Sequence, residues 1–241
     1  MTRPTYGEVI STATEMYLKQ TYLDEVDNWL LENTMSNKEL REFLRPLQDK
    51  PDEYIAERVE EIKDRLRERG VAICENGREV RGIGDISGIR LICKPDLTEE
   101  DIEIGYFGDR LINVHTHTIG PAVPSPYDLD SFEIHHVVGE CVMRKSDGKA
   151  RGVCIIRKGW PSLDEMKKLT ELSLRTLKVA EKESRDSPRF CMFVTIGERR
   201  YVHCEPIFDE NGLRKAEEWF VSEVNKVLGD KIKAFIYESE L

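Results

Sequence analysis

A short turn sequence, Ser146-Asp147-Gly148-Lys149, constrains the fold of this chain more than any other feature. An Asp-Gly pair between two apolar runs is typical of the two-residue loop of a β-hairpin. This loop predicts antiparallel strands over residues 141–145 and 152–157, with Cys141 lying opposite Cys154. The middle of the chain therefore contributes a hairpin to a β-sheet.

A second cysteine pair indicates the same geometry further along the chain. A turn at Gly197-Glu198 predicts a hairpin in which Cys191 lies opposite Cys204. The two pairs leave two alternatives. Buried reduced thiols are favoured because intracellular cysteines are usually reduced, whereas cross-strand disulfides occur in intracellular proteins of hyperthermophiles. A glutamine count of only two, beside many charged residues, fits a thermophile.

Helix and strand signals alternate along the rest of the chain. Helical periodicity and capping residues predict helices over 6–33, 36–46, 51–70, 129–138, 161–183 and 213–228. Apolar runs predict further strands over 71–74, 79–83, 88–93, 111–114, 190–196, 201–207 and 232–237. Because the elements lack a regular β-α-β rhythm, we expect an α/β fold of the α+β kind, with a mixed sheet flanked by helices.

Composition limits the kinds of partner. A net charge of -10 disfavours a sequence-independent nucleic-acid binder, which needs a cationic face. No apolar run is long enough to cross a bilayer, so no membrane partner is expected. The first residues, Met1 to Pro4, do not lead into an apolar signal segment, and the expected location is cytoplasmic.

The strongest chemical signal is the pair His115-Thr116-His117 at the end of a predicted strand. Residues i and i+2 of a strand face the same side, so both imidazoles can reach one ion. A loop rich in Pro and Gly follows and ends at Ser125-Pro126, a helix start that places Asp128 in the first turn. Two nitrogens and one carboxylate leave the fourth position of a zinc ion open, as in catalytic sites.

This segment resembles the signature of the JAMM (MPN-type) metalloproteases, which is H-x-H, seven residues, then S-x-x-D. Here seven residues, Thr118 to Pro124, separate His117 from Ser125, and Asp128 completes the motif. The resemblance implies a JAMM/MPN-like (cytidine-deaminase-like) core and a zinc-dependent hydrolase of peptide or isopeptide bonds. It also implies that His115, His117 and Asp128 bind Zn²⁺, and that Ser125 stabilises the oxyanion of the tetrahedral intermediate.

The family also uses an upstream glutamate, between a helix and the first strand, which takes a proton from the attacking water and passes it to the leaving amine. Glu68 is our candidate, because Glu68-Arg69-Gly70-Val71 resembles the family's E-x-x-G segment with the glycine one position early. Glu75 and Glu79 are the alternatives.

The resemblance covers residues 55–158 and departs from the family at two positions of the motif. Thr118 stands where a proline usually follows the histidine pair, and Thr116 replaces a common serine. The chain is accordingly divided into a helical N-terminal extension (1–50), a JAMM-like metal-binding domain (51–158) and a C-terminal α/β extension (159–241).

Two other classes of function remain open. A metal-free MPN-type scaffold is one. An amidohydrolase or PHP-type phosphoesterase is the other, although only His135, His136 and His203 remain after the motif to supply the further ligands of such barrels. The resemblance implies a protein substrate, including a ubiquitin-like tail joined to lysine. The N-terminal helices are candidates for forming a homo-oligomer or covering the site.

Overall fold

A computed structural model describes residues 28–74, 79–86, 88–89, 91, 111–134 and 137–240 of the chain. Most of the predicted helix over 6–33 lies outside these residues, and residues 28–31 are helical. Glu75, His135 and His136 also lie outside the described residues.

Helices and strands alternate as the sequence predicts. The helices are α1 (Asn37–Leu44), α2 (Asp52–Glu60), α3 (Pro126–Ile134), α4 (Leu163–Glu183) and α5 (Glu210–Leu228). The strands are β1 (Arg69–Cys74), β2 (Glu79–Ile83), β3 (Leu111–Thr116), β4 (Val137–Ser146), β5 (Lys149–Arg157), β6 (Arg189–Ile196), β7 (Arg199–Pro206) and β8 (Ile232–Glu240). Short 3₁₀ turns occupy Arg45–Leu47 and Lys63–Arg65.

Six strands form one sheet in the order β2-β1-β3-β4-β5-β8, and β6 and β7 form a separate hairpin. Strands β3 and β4 are parallel, whereas the other neighbours in the sheet are antiparallel. The expected mixed sheet flanked by helices is therefore confirmed.

Side chains on the two faces of the sheet pack into different cores. Helices α3, α4 and α5 cover one face, where Leu129, Leu169 and Phe220 pack against Val153 and Ile155. The short helical segment 28–31 covers part of the other face. A third core joins α1 and α2 to the β6–β7 hairpin, with Phe190 as its largest fully buried side chain. The hairpin is thereby fixed against the rest of the molecule.

Two helix starts follow the predicted capping chemistry. The side chains of Ser36 and Glu39 form a capping box at the start of α1, and those of Ser162 and Glu165 do the same for α4. In each box, two backbone N–H groups that have no partner inside the helix gain an acceptor.

Two predicted helix ends are wrong. The helix expected over 51–70 ends at Glu60, and Gly70, expected to stop it, lies in β1. A Cβ at Gly70 would lie 3.2 Å from side-chain atoms of Ile89 and Leu91, so a larger residue there would require these side chains to shift. The helix expected over 129–138 ends at Ile134, because the chain then joins the sheet as β4.

The strand expected over 88–93 is also not seen in its described residues, since Gly88, Ile89 and Leu91 belong to no strand. Ile89 and Leu91 instead lie against the glycines of β1 and β2. The described residues of this run thus pack through their side chains and belong to no strand.

Both predicted cysteine pairs are disulfides. Cys141 is bonded to Cys154 across β4 and β5, and Cys191 is bonded to Cys204 across β6 and β7. The favoured alternative of reduced thiols is therefore wrong, because the hairpin registers place each pair of Cα atoms 4.1 Å apart.

The division into residues 1–50, 51–158 and 159–241 remains a prediction. Strand β8, from the last of these segments, pairs along β5 from the middle one and completes the sheet. No helix in the described part of the chain combines the length and apolar character that a membrane span requires.

Candidate metal centre

Strand β3 delivers the two histidines to one place. His115 pairs with Gly70 of β1 on one side and Val142 of β4 on the other. The His117 backbone N–H donates to the Met143 carbonyl at 2.9 Å, which extends the ladder past the end of β3. The two imidazoles consequently lie on the same side of the chain, with ring centroids 5.0 Å apart.

Asp128 reaches the histidines from the first turn of α3. The backbone N–H of Ser125 donates to Asp128 Oδ2 at 2.7 Å, and Ser125 Oγ accepts from the Asp128 N–H at 3.3 Å. This reciprocal cap starts the helix and holds the carboxylate in one orientation. Pro126 follows at the first helical position, as the sequence predicts.

The three side chains converge with the spacing of metal ligands. His115 Nε2 lies 3.2 Å from His117 Nε2 and 3.4 Å from Asp128 Oδ1, and His117 Nε2 lies 3.5 Å from Asp128 Oδ2. Ligand atoms about 2.0–2.2 Å from a tetrahedral zinc ion lie roughly 3.3–3.6 Å from one another. The arrangement therefore fits zinc, although each histidine faces a different oxygen of Asp128.

Glu140 supports His115 from behind. His115 Nδ1 lies 2.9 Å from Glu140 Oε1, and the same oxygen accepts from the Asn113 amide at 3.0 Å. A carboxylate beside Nδ1 favours the tautomer whose Nε2 lone pair is free to bind a metal. Glu140 is completely buried, and its position on β4 opposite Asn113 follows from the parallel pairing with β3.

Glu68 closes the remaining side of the group. It directly precedes β1, and its backbone is held in place by hydrogen bonds to Asp85 and Gly84. Its Oε1 lies 3.7 Å from His117 Nε2, and the side chain is buried. Its other oxygen, Oε2, is buried without a hydrogen-bond partner among the described residues. A buried carboxylate oxygen in this state indicates a missing donor, such as a water on a metal ion.

Burial and charge shift the pKa values of the group in opposite directions. Burial raises the pKa of Glu68, and it raises the pKa of Glu140 to about 7. Burial also opposes the charged form of His115, but Asp128 and Glu140 outweigh it and hold the His115 pKa well above its usual value. The pKa of Asp128 is lowered in spite of its burial, chiefly by the charge of His115. Asp128 and His115 therefore form a charged pair, in which a metal ion would take the place of the proton on His115.

The structure brings all five predicted site residues together: Glu68, His115, His117, Ser125 and Asp128. We call them, with Asn113 and Glu140, the metal-centre cluster. Glu79 lies elsewhere, on β2, where its carboxylate accepts from Arg81. Sequence reasoning missed Glu140 and Asn113. A single glutamate in the otherwise apolar run from Val137 to Val142 was the available signal.

A second buried group anchors the loop between the histidines and Asp128. Glu217 of α5 is fully buried and accepts from Arg144 Nε at 2.6 Å, from Arg151 Nε at 2.7 Å and from the Ala122 backbone N–H at 3.1 Å. Glu210 binds Arg144 on its other side. We call Arg144, Arg151, Glu210 and Glu217 the arginine cluster.

Helix α4 holds the same loop nearer to the site. The Ser173 hydroxyl donates to the Pro124 carbonyl at 2.6 Å, directly before Ser125. The segment between His117 and Asp128 is thus tied to both C-terminal helices. This tether fixes the distance between ligands that come from a strand and from a helix.

The metal-centre cluster opens into a cavity of about 620 Å³. One wall carries Glu68, His117 and Ser125. Another wall is built by α4 and by the β6–β7 hairpin, and it carries Lys178, Glu181, Met192, His203 and Glu205. The size suits a ligand that is larger than a single ion and its waters.

We compared the chain with known protein families, curated proteins and solved structures. The sequence matches no family model, and neither a curated protein nor a solved structure shows a significant match.

Proposed function

We propose that this protein is a zinc-dependent hydrolase of peptide or isopeptide bonds, with the JAMM-like arrangement of ligands that its sequence motif implies. The observation that carries the proposal is the convergence of His115 Nε2, His117 Nε2 and the Asp128 carboxylate at the spacing of a tetrahedral site. The sequence motif and the side-chain geometry support it separately.

His115, His117 and Asp128 would hold the ion and leave its fourth position toward the cavity. When bound, zinc supplies Lewis acidity that lowers the pKa of a water and polarises a carbonyl. Glu140 keeps His115 in the tautomer that offers Nε2. The ligand set of two imidazoles and one carboxylate is one that zinc accepts in catalytic sites.

Glu68 is the proton carrier of this proposal. Its carboxylate lines the cavity beside His117, and its unpartnered Oε2 is free to accept a proton from the attacking water. Burial raises its pKa, which brings the carboxyl nearer to the range in which it can give the proton to a leaving amine.

Ser125 has two roles in the same scheme. Its backbone N–H and its Oγ hold Asp128 through the helix cap. Because Oγ acts as an acceptor in that cap, its own hydrogen is available to an oxyanion in the cavity. The cap and the oxyanion contact are compatible in one serine.

The barrel alternative has less support. Amidohydrolase-type barrels use eight parallel strands, whereas the described strands form an open sheet with a single parallel pair. The metal-free scaffold also has less support, because all three ligands are present and converge. Ubiquitin-like substrates and oligomerisation through the N-terminal helices remain proposals drawn from the sequence.

Metal analysis tests the ligand assignment. We expect one zinc ion per chain in the wild type, and less than about a tenth of that in His117→Ala and Asp128→Ala. Asp130→Ala is the matched control, because Asp130 is an exposed carboxylate on the same helix. Wild-type zinc content in both ligand variants would refute the assignment.

Cleavage of a proteome-derived peptide mixture tests the role of Glu68. The Glu68→Gln variant should keep its zinc and lose at least about a hundredfold in rate, which is within the usual contribution of a general base. Glu79→Gln should cleave like the wild type, since Glu79 is paired with Arg81 on β2. Full activity in Glu68→Gln would assign the proton transfer to another group.

A further inference from the structure

The cavity wall formed by α4 and the β6–β7 hairpin contains a glutamate whose carboxylate has no partner among the described residues. Glu205 lies on β7 and is partly buried at the cavity. Among the described residues its carboxylate has neither a hydrogen bond nor an ion pair. Burial raises the pKa of Glu205, because the charged form has lost water, and the nearby charge of His203 does not make up for this loss.

Two other carboxylates of this protein, Glu210 and Glu217, are half-buried or buried and bind Arg144. An unpaired carboxylate at a partly buried position costs free energy that a ligand with a positive charge would recover. Glu205 therefore differs from these groups in a way that points to a ligand.

The side chains around Glu205 indicate the chemical character of the rest of that ligand. The cavity is lined by apolar side chains, which are Ile86, Ile119, Leu177, Met192, Pro206 and Phe208. Leu177 is 48% exposed although it is a large apolar side chain. Glu181 adds a second acidic group on α4, and Lys178 and His203 are the basic groups of the same wall. The wall is thus largely apolar and carries two carboxylates.

We infer that this wall binds the substrate through a cationic side chain, a lysine or an arginine close to the cleaved bond, which pairs with Glu205. The inference rests on the proposed function, because it takes the cavity to be the substrate cleft of the hydrolase. The apolar lining contacts the stem of that side chain and its neighbours, while the carboxylate receives the charge at its tip.

A cleavage profile tests this selectivity. Zinc-loaded wild type and Glu205→Gln are incubated with the same proteome-derived peptide mixture, and the cleaved bonds are identified by mass spectrometry. We expect Lys and Arg to be enriched at one position beside the bond for the wild type, and this enrichment to fall about tenfold in Glu205→Gln. Glu198→Gln, in the exposed turn of the same hairpin, should match the wild type.

A binding measurement separates this inference from the proposed function. The zinc-loaded Glu68→Gln protein is immobilised, and the peptides it retains are compared with those retained by the Glu68→Gln/Glu205→Gln double variant. Loss of Lys- and Arg-containing peptides in the double variant supports the inference even if the wild type cleaves nothing, in which case the proposed function alone fails. Equal retention by both proteins, or an unchanged cleavage preference in Glu205→Gln, overturns the inference.

Discussion

Two groups of buried charges lie on the same face of the sheet, and they are built differently. In the arginine cluster, two arginines meet two glutamates, and the carboxylates of Glu210 and Glu217 accept from several guanidinium nitrogens. In the metal-centre cluster, the charge of Asp128 is paired with His115, and three acceptor oxygens have no donor among the described residues. These oxygens are Glu68 Oε2, Asn113 Oδ1 and Glu140 Oε2.

The difference shows how a structural charge cluster can be told from a functional one. In the arginine cluster each charged side chain lies beside an opposite charge, and Arg151 Nη2 is the member of the cluster that is buried without a hydrogen-bond partner among the described residues. The metal-centre cluster has an excess of acceptors around two histidines whose Nε2 atoms are 3.2 Å apart. In such a group a metal cation can replace the proton on His115, which is the role that we propose for zinc.

The largest effect is expected from Glu217→Ala, which leaves Arg144 and Arg151 buried without their shared carboxylate. Breaking a buried ion pair by removing one partner costs about 3–5 kcal/mol. Urea unfolding should show this loss in the free energy of unfolding. Glu218→Ala, the next residue along α5, removes a half-exposed carboxylate 3.8 Å from Arg151 and should cost less than about 1 kcal/mol. Equal losses in the two variants would contradict the difference in burial.

Zinc should stabilise the protein through one cluster only. At free zinc about 1,000 times the dissociation constant, binding to the native state adds roughly 4 kcal/mol to the free energy of unfolding. We expect this increment in the wild type and its absence in His117→Ala, measured by thermal unfolding with and without a chelator. Glu218→Ala should keep the increment, because its side chain does not touch the metal-centre cluster. A zinc increment that survives in His117→Ala would place the ion elsewhere.

Glu140→Gln tests the carboxylate behind His115. Loss of such a partner typically lowers metal affinity by about 10- to 100-fold. A competition titration with a zinc-binding dye should show a weaker dissociation constant within this range. Glu238→Gln, a glutamate of β8 outside the metal-centre cluster, should leave the dissociation constant unchanged. Unchanged affinity in Glu140→Gln would mean that the contact with His115 Nδ1 does not tune the metal.

The smallest expected effect is the loss of stabilisation by Glu210 at acid pH. Arg144 and Ser146 lower the pKa of Glu210, although its partial burial opposes them. A carboxyl with a lowered folded-state pKa stabilises the protein above the pKa of the unfolded chain, about 4.3, and loses this contribution as the pH falls through the folded value. Wild type should exceed Glu210→Gln in unfolding free energy at pH 7, and the gap should narrow by pH 3. A gap that widens on acidification would contradict the sign.

Local sequence patterns were enough to predict the parts of the site that lie close together along the chain. The spacing from His115 to Asp128 was predictive because a strand, a loop and a helix cap follow one another directly. The hairpin turns likewise predicted which cysteines face each other. Whether those cysteines are oxidised depends on geometry and redox environment, and here the usual intracellular state was the wrong choice.

Contacts between distant segments could not be predicted in the same way. Glu140 reaches His115 because β4 pairs with β3 in parallel, a register that no local pattern sets. Gly70 was taken for a helix stop because glycine serves both at helix ends and at close approaches within a sheet. Glu217, which holds the loop at Ala122, and Glu205, which lines the cavity, lie in the last third of the chain. The sequence motif does not cover this part.

The most direct test of the central claim is anomalous diffraction from crystals of zinc-loaded protein, with data collected on both sides of the zinc absorption edge. The account predicts one strong peak at about 2.0–2.2 Å from His115 Nε2, His117 Nε2 and an oxygen of Asp128, and none in the arginine cluster. Histidines and Asp128 that bond directly to one another, with no zinc peak between them, would contradict it.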